Sequence, residues 1–400
     1  MGGLHRFVFH IDVNSAFLSW TAIKKLQEEP GSIDLRTVPS AICGDIETRH
    51  GIIVARSTEA KKYGISSPEP VVSALRKCPN LIMVKPDYEW YQYCSKQLRD
   101  LLNSYTDCLI PFSIDEAWAV FEGYENMYGD PVEFAYRLKD EIKTKLGFTV
   151  NIGVSTNFLL SKMAGDFSKP DKVHSCFPEE IKRKMWPLPV SDLLFCGKSA
   201  TEKLKRLGIN TIGDLALADD ALLYPIMKNQ GLGLKGLANG EEIDLGDIDA
   251  ARKSYSHSHT ISHDVEDVNE AKQILLLLTE TLAARLRDDD AKAKCISVHF
   301  TTNEFKKKSR QRTLDRKTNI TNEIYNVVCA LTDELWDSKT AVRLLGVGAS
   351  GTEEDDYDQL SLFENEDRKK QMQVDTAMDS IRKRFGNSAV QRASLLDKNK

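Results

Sequence analysis

The 400-residue chain is 41% hydrophobic and 28% charged, an ordinary globular composition long enough for several domains rather than one core. Its formal net charge of −5 excludes a reading of the whole chain as a basic nucleic-acid binder. The charge is patterned, however. "KKKSRQR" (306–312) is sharply basic and "TEEDDYDQ" (352–359) is acidic, so a basic working face can sit inside a near-neutral total, although charge runs are more often plain solvated surface. The eight cysteines are scattered without a C-x-x-C pair, which excludes metal-cage spacing and fits buried thiols. With no leader-like or long apolar stretch, we expect a soluble, cytoplasmic chain with no membrane association.

In chain order, residues 7–13 predict a buried strand and 15–29 a helix stopped by Pro30-Gly31. "TVPSAIC" (37–43) and "GIIVARS" (51–57) predict short strands, and "STEAKKYG" (57–64) a helix with a Ser57/Thr58 start and Gly64 at its end. A strand at 80–87 precedes a helix through 89–106, and "PFSIDEAWAVFEG" (111–123) predicts a strand or hairpin. An amphipathic helix at 130–147 and a strand at 148–155 lead into "NFLLSKMAGDFSKP" (157–170). This alternation predicts a sheet covered by helices on one side. From 170 to 245 the pattern turns helical, with two short helices around Gly208-Ile209. "KSYSHSHTIS" (253–262) is polar and poorly periodic, suited to a linker running into a strand. A long helix (268–287) and strands at 295–302, 309–314 and 342–350 then predict a second α/β unit. The last fifty residues look loosely packed apart from a helix near 371–385.

Asp12 ends one apolar strand, and Asp115-Glu116 interrupt another apolar run. Acids inside otherwise buried strands are uncommon, and on neighbouring strands they would repel one another unless divalent cations held them together. Mg²⁺ suits all-oxygen ligands and brings phosphates, and two such ions can serve an attacking and a leaving oxygen. The alternative is that Asp12 caps the helix starting near Ser15 and that Asp115-Glu116 mark a hairpin turn; spacing alone leaves both open. Adjacent strand residues face opposite ways, so Asp115 and Glu116 could act together only across a turn or bulge. Lys162, Lys61 and Arg56 are candidate counter-charges for a triphosphate, although each lysine alone is more often a solvated helix residue and only the combination with the acids is informative.

"HIDVNSAF", "SIDEA" and "GVSTNFLLSKMAGDFSKP" together resemble the Y-family translesion DNA polymerases, the group of bacterial DNA polymerase IV and the UmuC-type enzymes. The resemblance runs over nearly the whole chain. It implies an α+β multidomain fold: a right-hand polymerase with a ferredoxin-like palm (1–17 and 80–166), small fingers (18–79) and a helical thumb with a helix-hairpin-helix (167–245). A linker (246–252), an α/β little finger that binds DNA (253–350) and a tail (351–400) complete it. It further implies that Asp12, Asp115 and Glu116 are catalytic and hold two Mg²⁺ ions, with the Val13 carbonyl as an extra ligand. Ser15, Ala16 and Phe17 would bind the nucleotide, with Phe17 as a steric gate against a ribose 2′-hydroxyl. Lys162 matches the triphosphate lysine. In the fingers, polymerase IV-like members carry Thr, Tyr and Arg where this chain has Ala55, Thr58 and Lys61. "ARSTEAK" is closer to the UmuC style, with Arg56 as compensation for the lost guanidinium. Asn14 replaces an acid common in the polymerase IV branch.

By the same resemblance, Gly197 and Lys198 sit in a hairpin that grips a DNA phosphate, although the usual Gly-x-Gly is here Phe195-Cys196-Gly197. Lys306, Lys308, Arg310 and Arg312 fall where little-finger strands follow the DNA backbones, and on a strand Arg310 and Arg312 share one face. "QLSLF" resembles a peptide that binds the bacterial sliding clamp (the beta subunit), through Gln359, Leu360, Leu362 and Phe363, which would offset weak intrinsic DNA affinity. Expected partners are therefore primer–template DNA, a deoxynucleoside triphosphate, the clamp and, for a UmuC-type enzyme, a UmuD-like subunit, on a monomeric chain. The implied activity is template-directed synthesis of low processivity and fidelity, in lesion bypass, DNA repair and the SOS response. Two other classes stay open: a non-catalytic accessory protein with the same fold, which loss of any of the three acids would favour, and a nucleotide cyclase, which the thumb, little finger and clamp-like peptide oppose.

Overall fold

The computed structural model describes residues 6–44, 51–123, 125–246, 252–337, 340–352, 366–386 and 388–395. The chain divides into two compact units near residue 248. No helix among the described residues is long and apolar enough to cross a membrane. No disulfide joins any of the eight cysteines, five of which are buried, as their apolar neighbours predict.

In the first unit the strands are β1 (Arg6–Val13), β2 (Ser40–Cys43), β3 (Ile52–Arg56), β4 (Glu69–Pro70), β5 (Ile82–Val84), β6 (Cys108–Pro111), β7 (Glu116–Glu122), β8 (Val150–Ser155) and β9 (Val173–Ser175). Five of them form a sheet in the order β6-β7-β1-β8-β9, and β4-β3-β2-β5 form a second, smaller one. Side chains alternate across β1, so Phe9, Ile11 and Val13 enter one core. There they meet the helices Ala16–Glu28, Tyr88–Asn103 and Pro131–Leu146 through Trp20, Tyr91 and Phe134. Asp87 and Asp130 cap the last two helices, and Gly147 ends the third at φ 78°, each a signal present in the sequence.

The opposite face carries Val8 and Trp118 into a different core, shared with the Phe158–Asp166 helix and the short helices between 181 and 238. The main sheet is therefore covered on both sides, not on one as the alternation predicted. Every residue of β1 from Val8 to Val13 is buried, His10 and Asp12 included, so neither face of the strand is left to solvent. Gly153 of β8 lets the Phe158–Asp166 helix lie flush on this face. A Cβ there would stand 1.9 Å from the Ser161 carbonyl oxygen and 2.4 Å from the Gly165 nitrogen.

The second unit contains β10 (Ser254–Val265), β11 (Ala293–Thr302), β12 (Lys307–Thr318) and β13 (Val342–Ser350), ordered β10-β13-β11-β12. Ile296, Val298, Phe300, Leu345 and Val347 pack against the helices Val268–Asp288 and Thr321–Leu335. The expected linker at 253–262 is instead strand from Ser254 onward, paired with β13. Its polarity has a simple cause: Ser254, Ser256 and Ser258 alternate away from the core that Tyr255 enters. The tail carries the expected helix, with an earlier start. A helix runs from Glu366 to Phe385, and its Asp375 and Asp379 pair with Arg287 of the Val268–Asp288 helix.

Candidate active site

Antiparallel pairing of β1 with β7 sets Asp12 directly opposite Glu116, and pairing with β8 sets it opposite Asn151. His10, Asp12, Glu116 and Trp118 therefore share the face beneath the Phe158–Asp166 helix. Asp115 lies one residue before β7 begins. The Phe112 and Ser113 amides both donate to the Glu116 carbonyl, at 2.9 and 3.1 Å, closing a turn that frees Asp115 from strand alternation. Its own carbonyl accepts from the Val13 amide at 3.0 Å, so the two acidic segments are tied backbone to backbone.

Asp12, Val13, Ser15, Ala16, Phe17 and Asp115 line one side of an open cleft of about 290 Å³ whose other side is Val54, Ala55, Arg56, Lys61 and Ser67. The alternative role for Asp12 as a helix cap does not hold. Ser15 occupies the cap position of the Ala16–Glu28 helix, in the left-handed region at φ 48°. The Asp12 carboxylate instead accepts from Lys169 Nζ at 3.0 Å, with Lys162 Nζ at 3.6 Å. Lys162 Nζ also lies 3.1 Å from Glu116 Oε2 and 3.5 Å from Asp166 Oδ2. Among the described residues, no three carboxylate, imidazole or thiolate groups stand close enough together to hold one ion. The expected convergence of three acids is thus two side by side, Asp12 and Glu116, and a third at the cleft wall. Asp115 turns its carboxylate to the Ser113 hydroxyl at 2.6 Å.

Burial pushes the Asp12 carboxyl up to about 7, the neighbouring Glu116 adding to the rise and Lys169 opposing it. Burial also works against ionisation of Glu116, yet the His10 ring, the Asp12 carboxyl and the Lys162 charge together hold it below the usual carboxylate range. The two carboxyls therefore titrate as a coupled pair, pushed in opposite directions. His10 is fully buried, which keeps its imidazole neutral, and its Nε2 stands 3.5 Å from Glu116 Oε2. The acids at and beside the cleft, Asp12, Asp115 and Glu116, offer only carboxyl oxygens. That set fits a hard divalent cation such as Mg²⁺ and not a soft one.

Sequence reasoning missed Lys169. Burial works against its charge, but Asp12 and Asp166, at 3.0 and 2.8 Å, hold the ammonium above the usual lysine range. Across the cleft, burial lowers the Lys61 ammonium, with the charges of Arg56 and Lys169 adding to the effect, so these cations face one space. Arg56 Nε is buried without a hydrogen-bond partner. Lys162, the expected phosphate ligand, lies deeper, with only 10% of its side chain exposed against 36% for Lys169. The Phe17 ring stacks on Tyr91, centroids 4.5 Å apart and planes within 10°, and the Tyr91 hydroxyl meets Thr21 Oγ1 at 2.8 Å. Thr58 is exposed and stands outside the cleft lining.

Residues 11–166 match the impB/mucB/samB family and residues 252–362 match that family's C-terminal domain. The chain is 41% identical over 399 residues to DNA polymerase IV of Clostridium acetobutylicum, covering 99% of each chain. It is 32% identical to DNA polymerase IV 1 of Bacillus subtilis, covering 100% of this chain and 95% of the other. This chain belongs to the Y family of DNA polymerases. A solved Y-family DNA polymerase chimera shares the fold at TM-score 0.73 and 22% identity, covering 87% of this chain and 100% of that one. The fold class is accordingly that of the α+β, right-hand Y-family enzymes.

Beyond the cleft, Gly197 precedes the Lys198–Arg206 helix and has open space where a Cβ would be. Phe195, two residues before Gly197, lies in the left-handed region at φ 65°, a strained conformation for a non-glycine residue. Arg310 and Arg312 share a face of β12, as expected, but it is the helix side of the sheet. Both reach Glu334, while Lys308 pairs with Asp337 at 2.8 Å and Lys306 with Glu304 at 2.7 Å. The open face instead presents Ser256, Ser258, Gly346, Gly348, Ser297, His299, Gln311, Ser309 and Lys307, with no acid among these residues. Gln359, Leu360, Leu362 and Phe363 lie outside the described residues.

Proposed function

We propose that this Y-family member is a template-directed DNA polymerase that adds deoxynucleotides to a primer 3′-hydroxyl and copies past lesions with low processivity and fidelity. The observation that carries this reading is the cleft, with Asp12 and Asp115 at one wall, Arg56 and Lys61 across it, and Glu116 and Lys169 flanking Asp12. Paired acids facing a cationic wall suit a nucleotide whose phosphates lie between the two. Asp12, Asp115, Glu116 and the Val13 carbonyl would hold two Mg²⁺ ions. When bound, these lower the pKa of the attacking hydroxyl and offset the charge that develops on the phosphates.

The chain's own groups do the rest. Lys169, Lys61 and Arg56 bind and orient the triphosphate, with Lys169 the better placed of the two palm-side lysines because it is more exposed. Lys162 neutralises the buried Asp12–Glu116 pair from beneath. The amides of Ala16 and Phe17 open a helix at the cleft, a favourable place for phosphate oxygens. Phe17, backed by Tyr91, sets the floor under the sugar. Phe17→Ala is expected to raise ribonucleotide incorporation by at least about tenfold, since the clash with a 2′-hydroxyl is removed. Sugar selectivity measured on single-nucleotide insertion checks this, and unchanged selectivity would take Phe17 out of the gate role.

We assign the palm to 1–17 and 80–166, the fingers to 18–79, the thumb to 167–245 and the little finger to 253–350. Serine, glycine, His299, Gln311 and Lys307 on the open face of the second sheet suit close, sequence-independent contact with a DNA backbone. The thumb hairpin at Gly197 and Lys198 would grip a further phosphate. A clamp partner rests on "QLSLF" alone. Replacing Leu362 and Phe363 with alanine should abolish stimulation by the bacterial sliding clamp and spare basal extension; equal stimulation would sink that assignment.

The deciding experiment is primer extension on an undamaged and an abasic template with Mg²⁺. Extension across both is expected. DNA binding without any extension would favour the accessory-protein reading instead.

A further inference from the structure

We propose that Asn14 and Asn151 are positioning residues whose paired amides hold the 168–172 turn so that Lys169 points at Asp12 and at the incoming phosphates. This role rests on the polymerase reading above and adds to it two residues that touch neither substrate nor metal ligand side chains.

Asn151 is fully buried on β8 opposite Asp12, and it uses every polar capacity of its amide. Its Nδ2 donates to the Gly165 carbonyl at 3.0 Å and the Ser168 carbonyl at 2.7 Å. Its Oδ1 accepts from Asn14 Nδ2 at 3.1 Å and from the Lys172 amide at 3.2 Å. Asn14, itself buried, accepts the Asp171 amide on Oδ1 at 2.8 Å. The bonded groups bracket Lys169: Ser168 immediately before it, Asp171 and Lys172 just after. Asp171 sits in the left-handed region at φ 59°, a conformation that a non-glycine residue keeps only when its surroundings fix it.

The turn has few apolar anchors, since Ser168, Lys169 and Pro170 are all exposed. From outside, Lys139 and Lys143 grip the Asp171 carboxylate, each at 2.9 Å. From inside, the amide clasp joins the turn to β1 and β8, the strands that carry the acids, beside one backbone bond from the Ile152 amide to the Lys172 carbonyl at 2.9 Å. A lysine on a free turn would spread its ammonium over many positions. Held as it is, Nζ stands 3.0 Å from Asp12 Oδ2 and 2.8 Å from Asp166 Oδ1. Asn14 accepts from Asp171 and donates to Asn151 at once, whereas an aspartate here would set an acceptor against Asn151 Oδ1 as it is now oriented.

The test is a double-mutant cycle on the full chain, read as the KM for a deoxynucleoside triphosphate and kcat separately in single-nucleotide primer extension. Lys169→Ala and Asn14→Ala are each expected to raise KM by about tenfold, with kcat changed by less than about threefold. Asn14→Ser, which keeps a small polar group and folds more readily, should raise it as well. In the Lys169→Ala background neither Asn14 substitution should add more than about twofold, because the clasp acts through the lysine. The same KM rise in both backgrounds would overturn the proposal, as would normal KM in the Asn14 variants or failure of both to fold. If Lys169→Ala itself leaves KM unchanged, the clasp has no such target, although the polymerase reading survives. An unchanged chain that extends no primer would overturn both.

Discussion

Replacing Glu116 with glutamine is expected to slow primer extension by at least about a thousandfold while leaving the chain folded, since it removes a charge that the reaction needs and a shape that it does not. Glu116 faces Asp12 across β1 and β7, with Lys162 Nζ 3.1 Å away. Glutamine keeps the volume and leaves Lys162 with Asp12 and Asp166 as partners. Stability should therefore change by no more than about 1–2 kcal/mol. Asp12→Asn should be as damaging to activity. Asp115→Asn is the sharper case, because Asp115 stands at the cleft wall with its carboxylate on Ser113 and not beside Asp12. A loss comparable to that of the other two would place its carboxylate in the reaction. The measurement is single-turnover extension with saturating Mg²⁺, alongside thermal melting of each variant. Activity within tenfold of the parent for Glu116→Gln would refute the carboxylate assignment, and the accessory-protein reading would replace it.

The acidic pair was legible because its signal is local. An aspartate ending Phe7–Ile11 and an acid pair breaking "PFSIDEAWAVF" stand out against apolar strands, and strand alternation then predicts the shared face. The Ser57 cap of the Thr58–Lys62 helix and Gly64 beyond its end were legible for the same reason. Lys169 and the Asn14–Asn151 clasp were not. Their partners lie 157 and 137 residues away in sequence, and an amide bears no charge that would flag it as a counterpart to Asp12. The position of Asp115 depended on a turn closed by two amides on one carbonyl, which composition does not reveal. Arg310 and Arg312 share a face as their spacing required, but the face they share is fixed by pairing β12 in register with β11, where Arg310 stands opposite the core residue Val298. The clamp-like peptide rests on sequence throughout.

The C-terminal helix, expected near 371–385, docks through a face that its apolar pattern does not mark, and this also makes a prediction. Its inward residues are charged, Asp375, Asp379 and Arg382, while Val374, Ile381 and Phe385 are exposed, so its apolar pattern points away from its actual contacts. What docks it is a set of ion pairs around Glu280, which is only 3% exposed. Arg382 reaches Glu280 Oε2 at 2.9 Å and Arg392 reaches Oε1 at 2.6 Å, while Arg392 and Arg287 each lie 3.3 Å from Asp375. Removing one side of such a network leaves the remaining charges buried without partners. Glu280→Ala is therefore expected to destabilise the unit that follows residue 248 by about 3–5 kcal/mol. Glu280→Gln, which keeps the acceptor oxygen, should lose less. Breaking the exposed Lys306–Glu304 pair by Glu304→Ala should leave the urea midpoint almost unmoved, because solvent screens it. Urea unfolding of the three variants, followed by circular dichroism, ranks them. If Glu280→Ala unfolds at the same urea concentration as Glu304→Ala, the charged face of the helix contributes nothing to holding it, and the exposed apolar stripe would have to be its true contact surface.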